Sequence, residues 1–557
     1  MKRKSFSILL TLVLALSTLL AGCGSSKEAS DTGSKGDNST AAEKPAAEQI
    51  LRINLSAEPP TFDPAQAQDS QTNTVLKTLY EGLTRMGADG KETPGVAESW
   101  DIDGTKYTFH LRKDAKWSNG DPVTAKDFVF AWQRVLDPAT TPAPPYAYQL
   151  YYIKNAEAYN SKKVTDFSQV GVKAVDDNTL EVTLEKPTPY FLGLTSFYTF
   201  YPVHSSVKGN EKWATNKDSM IFNGPFTLSN WTKGSQITVK KNDNYWDKNS
   251  IKLSEIDMSI VNSGATELSS YQAGQLDYTG APNGEIPNDQ IPAMKQTYPN
   301  EFNVKGISST YYYMFNVKAK PFDNAKIRKA FAMSIERQPI VDKVTQGGQL
   351  PAFGFVPPGI KGESDEFRTE HKDDFFKEDV TEAKKLLEEG MKEEGYTTLP
   401  QVTLLYNSSE SHKKIALAVA DMWKRNLGVD VKTQNQEWGV FLENRNQGNY
   451  QVSRAGWSAD YNDPMTFMDM WTTGNGNNDS GYANPEYDKL IKDAASTEDA
   501  KKRMEDFAAA EKMLVQDDMV IAPIYYYTNV SMTKPNVKGI NLDFSGAIDF
   551  TRAYLTE

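Results

Sequence analysis

The chain has 557 residues, with 61 Lys and Arg against 73 Asp and Glu for a formal net charge of −12. That acidic balance argues against nucleic acid as a partner, and a single cysteine excludes an intramolecular disulfide. Beyond the N-terminal segment there is chain for two or three packed domains, so stability must come from a large core.

Lys2, Arg3 and Lys4 lead into an apolar run from Ile8 to Leu20, too short to span a bilayer, and then Leu20-Ala21-Gly22-Cys23. A basic start, a short apolar stretch and small residues at its end predict a secretory signal peptide over residues 1–22. The ending resembles a bacterial lipobox, in which Cys23 is lipidated and becomes the first mature residue. An ordinary signal peptide with an incidental cysteine is the plainer alternative. Residues 23–49 then form a tether of Ser, Lys, Glu, Asp, Ala and Gly, expected to be disordered. Its reach is roughly 28 Å, enough to float a folded body just off a membrane.

Leu51 to Leu55 alternates apolar and polar as a half-buried strand. Val75, Leu76, Leu79 and Tyr80 predict a helix, and Lys106 to Leu111 a strand after a turn at Asp103-Gly104. Asn119-Gly120 marks a tight turn. Thr124 with Asp127 predicts a capping box opening a helix whose face is Phe128, Trp132, Val135 and Leu136, stopped at Asp137-Pro138. Thr179 to Leu184 and Ile237 to Lys240 read as strands. Between Asp323 and Val344 two helices are separated by Pro339, which suits the first turn of the second. Val402 to Tyr406, a helix from His412 to Leu427 stopped by Gly428, and Val429 to Lys432 form a β-α-β unit, predicting a parallel pair. A short helix near Trp438 to Leu442 and a strand from Tyr450 to Ala455 extend it.

That last strand enters the stretch Arg454-Ala455-Gly456-Trp457-Ser458-Ala459-Asp460-Tyr461-Asn462-Asp463-Pro464, closed by a turn-rich segment. Loops leaving the carboxyl ends of strands in open α/β sheets are where ligands bind. The plainer reading is a structural turn in which Asp460 or Asp463 hydrogen-bonds its own backbone. No phosphate-binding Gly-rich loop with a following Lys, no Gly-x-Ser-x-Gly elbow and no His-Glu-x-x-His spacing occurs. Gly474 to Asp479 lacks the last glycine of a dinucleotide fingerprint and reads as a loop. Aromatics make up 11% of the chain, with Tyr triplets at Tyr311–Tyr313 and Tyr525–Tyr527. Alternation places the middle Tyr of each opposite its neighbours, so either the sheet is buried on both faces or one face lines a cavity.

An ordered set of segments carries a resemblance. It runs through Tyr80 to Thr84, Trp117 to Pro138, Pro145 to Tyr148, Asn223 to Phe226 and Asn244 to Trp246. It goes on through Tyr311 to Tyr313, Ile327 to Ile335 and Arg454 to Pro464. In order and spacing the chain resembles the extracellular solute-binding proteins of peptide uptake transporters, nearest the oligopeptide-binding lipoproteins. The resemblance implies an α/β, two-lobed periplasmic-binding-protein-like fold (type II, cluster C) with an extra domain and ligand in the interlobe cleft. It implies lobe I from 50–80, 206–307 and 527–557, the extra domain over 81–205 and lobe II over 308–526.

Carried over residue by residue, Asp460 would grip a peptide's α-amino group. Arg454 and His412 would meet its carboxylate at certain lengths; the plainer alternative is that they satisfy local carbonyls. Trp438, Trp457, Arg445, Tyr312 and Tyr526 would line side-chain pockets, and Ser458, Ser70 and Tyr148 are further peptide-contacting positions. Asn446 and Met314 depart from the pattern of close relatives and put side-chain preference in doubt. The function implied is oligopeptide binding and delivery to the permease and ATPase of an ATP-binding-cassette importer, as a monomer without cofactor, metal or catalysis. Another solute, such as an oligosaccharide or signalling peptide, is the alternative, and a secreted hydrolase a more distant one.

Overall fold

The computed structural model describes residues 44–87, 91–210 and 212–557. The expected signal peptide, Cys23 and most of the tether lie outside the described residues. The tether's end departs from the expected disorder. Lys44 pairs with Glu557 at 2.6 Å, Ala46 N–H donates to Leu555 O, and the Gln49 amide both donates to Leu555 O and accepts from its N–H. Composition signals disorder where no partner is in reach, but here the C-terminal segment offers unpaired backbone groups.

Three sheets organise the chain. Ile50–Asn54, Glu255–Ser259, Gln236–Lys241 and Phe226–Thr232 lie side by side in that order, only the first pair parallel. Ala97–Asp103, Lys106–Leu111, Thr179–Thr183 and Val172–Asp176 form a second sheet, wholly antiparallel. Against it packs the helix Ala125–Leu136, opened by the predicted capping box of Thr124 and Asp127. Phe128, Trp132, Val135 and Leu136 are its buried face, as the spacing predicts.

The largest sheet runs Tyr278–Gly280, Ile521–Thr533, Phe302–Phe315, Val452–Ser458, Val402–Asn407, Val431–Gln436. Val402–Asn407 and Val431–Gln436 are parallel across the helix Glu410–Leu427, which stops at Gly428 with φ 74°. Only a residue without a Cβ takes that left-handed turn freely. The two long strands Phe302–Phe315 and Ile521–Thr533 pass straight through the positions 307/308 and 526/527, and their pairing shifts register between Gly306 and Thr310.

Both sheet faces are buried at the first tyrosine triplet. Tyr311 and Tyr313 turn to one face, where Tyr313 meets Trp423; Tyr312 turns to the other, against Phe355 and Trp471. One expectation shifts. The strand expected to end at Ala455 continues to Ser458, because Ser309, Thr310 and Tyr311 of the neighbouring strand pair with Ser458, Trp457 and Gly456. Arg454 therefore sits in mid-strand, and Asp460 occupies the bend that follows.

Candidate functional site

A cavity of about 750 Å³ opens beside the end of this strand. Asp460, Arg454, Trp457, Ser458, Trp438, Arg445, His412 and Ser70 all line it. Three sequence-named residues do not. Tyr148 is buried behind Tyr146, on which it stacks, and its hydroxyl accepts from Asn477 at 3.4 Å. Tyr312 faces Phe355 and Trp471, and Tyr526 donates to Asp373 Oδ2 at 2.7 Å. Period-two alternation explains the exchange: Tyr525 and Tyr527 flank the cavity, so the middle residue points away.

Asp460 is half-buried. Gln149 Nε2 donates to its carboxylate at 2.9 Å, and its own N–H donates to Thr466 Oγ1 at 3.1 Å. It makes no ion pair among the described residues. Burial first, then the like charge of Asp469, pushes its carboxyl well above the usual range. The local turn role falls instead to Asp463. Its Oδ1 accepts from Met465 N–H at 3.0 Å, and Arg503 grips both oxygens at 2.7 and 2.8 Å. Of the two carboxylates in the motif, one is tied into the fold and the other waits in a cavity.

The opposite charge has the same character. Arg454 donates to Tyr527 Oη at 2.7 Å and to Asn407 Oδ1 at 3.4 Å, and lies 5.1 Å from the Tyr311 ring centre. Its Nε has no partner, and no carboxylate among the described residues pairs with it. His412 has a partnerless Nδ1 and packs against Tyr311; burial, then Arg454, holds its pKa well below the ordinary value. It is therefore neutral at neutral pH, and Arg454 alone supplies positive charge there. Neither side chain satisfies a local carbonyl.

The walls are indoles and ion pairs. Trp457 lies over Tyr146 at 6.1 Å, Trp438 stacks on Phe441 at 5.7 Å, and both indole N–H groups are buried without a partner. Arg445 is held by Asp479 at 2.7 Å. Ser458 donates to Ser309 Oγ, and Ser70 lies in the first turn of the helix that Asp69 caps. Buried donors are seldom left unpaired, so this concentration of free N–H groups around one cavity marks a place for a polar ligand. Sequence reasoning missed Gln149, Tyr146 and Tyr527; Tyr527 carried a signal as a member of its triplet and Tyr146 as part of the Pro145–Tyr148 segment, while Gln149 carried none.

Residues 91–479 match the model of the bacterial extracellular solute-binding proteins, family 5 Middle. The chain belongs to this solute-binding family. The oligopeptide-binding protein OppA of Bacillus subtilis is 43% identical over 561 residues, covering 99% of each chain. Haemophilus influenzae OppA in complex with RPPGFSPFR superposes with a TM-score of 0.85 at 36% identity, covering 92% of this chain and 100% of that one. The Escherichia coli murein tripeptide binding protein MppA reaches 0.86 at 35% identity, covering 92% and 99%. In its unliganded open form MppA reaches only 0.61, at 36% identity and the same coverage. This solute-binding protein thus has the family's two-lobed α/β fold.

Proposed function

We propose that this solute-binding protein captures oligopeptides outside the cytoplasm and delivers them, unaltered, to an ATP-driven importer. The observation that carries the reading is the pair of uncompensated charges in one cavity, Asp460 and Arg454. A peptide with free termini brings the two complementary charges. Its backbone N–H and C=O groups are what every sequence shares, and extended pairing with protein backbone reads them without choosing side chains. Enclosure then strengthens the ammonium–carboxylate contact by lowering the local dielectric. Native mass spectrometry of the purified mature protein tests the solute class. Peptide masses are expected to co-purify; a sugar mass, or no response to added peptides, would overturn the reading.

The lobe boundaries implied by the resemblance belong to the same proposal, with the two long strands at 307/308 and 526/527 acting in hinge closure. Peptide at saturation is expected to shrink the radius of gyration in solution scattering, relative to protein emptied by unfolding and refolding. Superposable profiles would remove the hinge.

Membrane attachment is proposed to run through lipid on Cys23, with the protein otherwise monomeric. Cys23→Ser is expected to abolish labelling by a radioactive fatty acid and to release the protein from the membrane fraction. Continued labelling of the variant would refute the anchor.

A further inference from the structure

Asp460 is not the only carboxylate in its corner of the protein. Asp469, 8% exposed, opens the short turn Asp469–Trp471. Its Oδ2 accepts from Tyr152 Oη at 3.3 Å and Tyr461 Oη at 3.5 Å, while its Oδ1 is buried with no partner. The Asp460 side chain receives Gln149 Nε2, and the Thr466 hydroxyl also lies against it. All of these donors are neutral, and Gln149 and Tyr152 come from one segment. The nearby cations are engaged elsewhere, Arg503 with Asp463 and Arg445 with Asp479. Asp463 also faces Asp469 and raises it further; the other titratable groups facing the pair are phenols, Tyr146, Tyr148 and Tyr198 around Asp460. Around Asp469 stand Tyr152, Tyr190, Tyr461 and Tyr487. Burial pushes every one of these phenols up, so all stay neutral.

Two enclosed carboxylates with only neutral donors and no cation of their own cannot both ionise cheaply. One proton held by the two, whose charges act on each other, removes one charge. We propose that Asp460 and Asp469 form one acid pair that keeps a proton while the cleft is empty and gives it to solvent when a cationic amino group arrives. Asp469 is then a positioning residue that acts on the ligand through Asp460. The charges balance: the singly protonated pair and the ammonium go to a doubly ionised pair, the same ammonium and one hydrogen ion in the buffer. The tuning agrees with this, since burial pushes Asp469 up to about 8, close to the pH at which an extracytoplasmic protein works. Such a pair titrates as a unit rather than as two separate acids.

The sign follows. A group that loses its proton on binding adds affinity that is present above its free pKa and lost as pH falls. Below the pKa that the pair has in the empty protein, affinity is therefore expected to drop by about tenfold per pH unit. The inference rests on the ammonium-binding reading of Asp460, and the test separates the two. Calorimetry near neutral pH, in two buffers of different ionisation enthalpy, counts protons exchanged when a free tetrapeptide that co-purifies with the protein is added back. Wild type is expected to release close to one proton, less roughly a tenth that the peptide's own amino group takes up. With Asp469→Asn the release should fall and the pH dependence of the affinity should move to lower pH, since burial alone then holds the Asp460 proton. No net release from wild type overturns the inference whatever the variant does, as does an undiminished release from the variant. If the N-acetylated peptide binds wild type as tightly as the free one, the ammonium reading itself is at fault.

Discussion

An N-acetylated tetrapeptide is expected to bind roughly thirty- to several-thousand-fold more weakly than the same peptide with a free amino group, a loss of about 2–5 kcal/mol. Acetylation removes the cation and leaves the Asp460 carboxyl enclosed with only the neutral Gln149 amide and Thr466 hydroxyl beside it. C-terminal amidation should weaken binding less, because Arg454 already has neutral partners in Tyr527 and Asn407 and can reach a carboxylate through water. Asp460→Ala should bring the free peptide down to about the affinity of the acetylated one, and acetylation should then change little. Non-additivity of this kind is what a single shared contact produces. Calorimetry on both peptides and both proteins supplies the four affinities. Two losses that simply add would take Asp460 out of the role proposed for it.

Much of the fold can be read locally, because its signals are local. The Thr124 and Asp127 box, the Gly428 stop and the alternation in Lys106–Leu111 are each decided within a few residues, and each appears where its spacing puts it. The site is legible only in part, for two reasons. Alternation says that Tyr312 and its neighbours oppose one another, but not which face meets the cavity; that depends on packing against Phe355 and Trp471, distant in sequence. Likewise nothing near Ser458 announces that its strand will continue past Ala455, since the partner strand at Ser309–Tyr311 provides the pairing. Gln149 illustrates the limit. An amide in a Tyr-rich turn carries no sign that it will orient a carboxylate 311 positions later.

The same limit makes Asp460 and Asp463 look interchangeable in sequence, and the second large effect separates them. Arg503, from the helix Ala500–Lys512, holds Asp463 through two hydrogen bonds, and both side chains are about 15% exposed or less. The Asp463 Oδ1 also caps Met465 N–H at the start of Met465–Met468, which carries the chain on to Asp469. Asp463→Ala removes an anion, strands a partly buried guanidinium and opens the cap. Breaking a buried pair from one side destabilises by about 3 kcal/mol, at the lower end because water still reaches both groups. Urea unfolding followed by tryptophan fluorescence should show the midpoint fall. Replacing both partners, with Asp463→Ala and Arg503→Met together, should restore part of the loss, since no uncompensated charge is left behind. Asp460→Ala should do the opposite to stability. Removing an enclosed carboxylate that lacks a cation relieves a desolvation penalty and leaves the empty protein as stable as wild type or more so. A midpoint that falls for Asp460→Ala and holds for Asp463→Ala would reverse the division of labour between the two carboxylates.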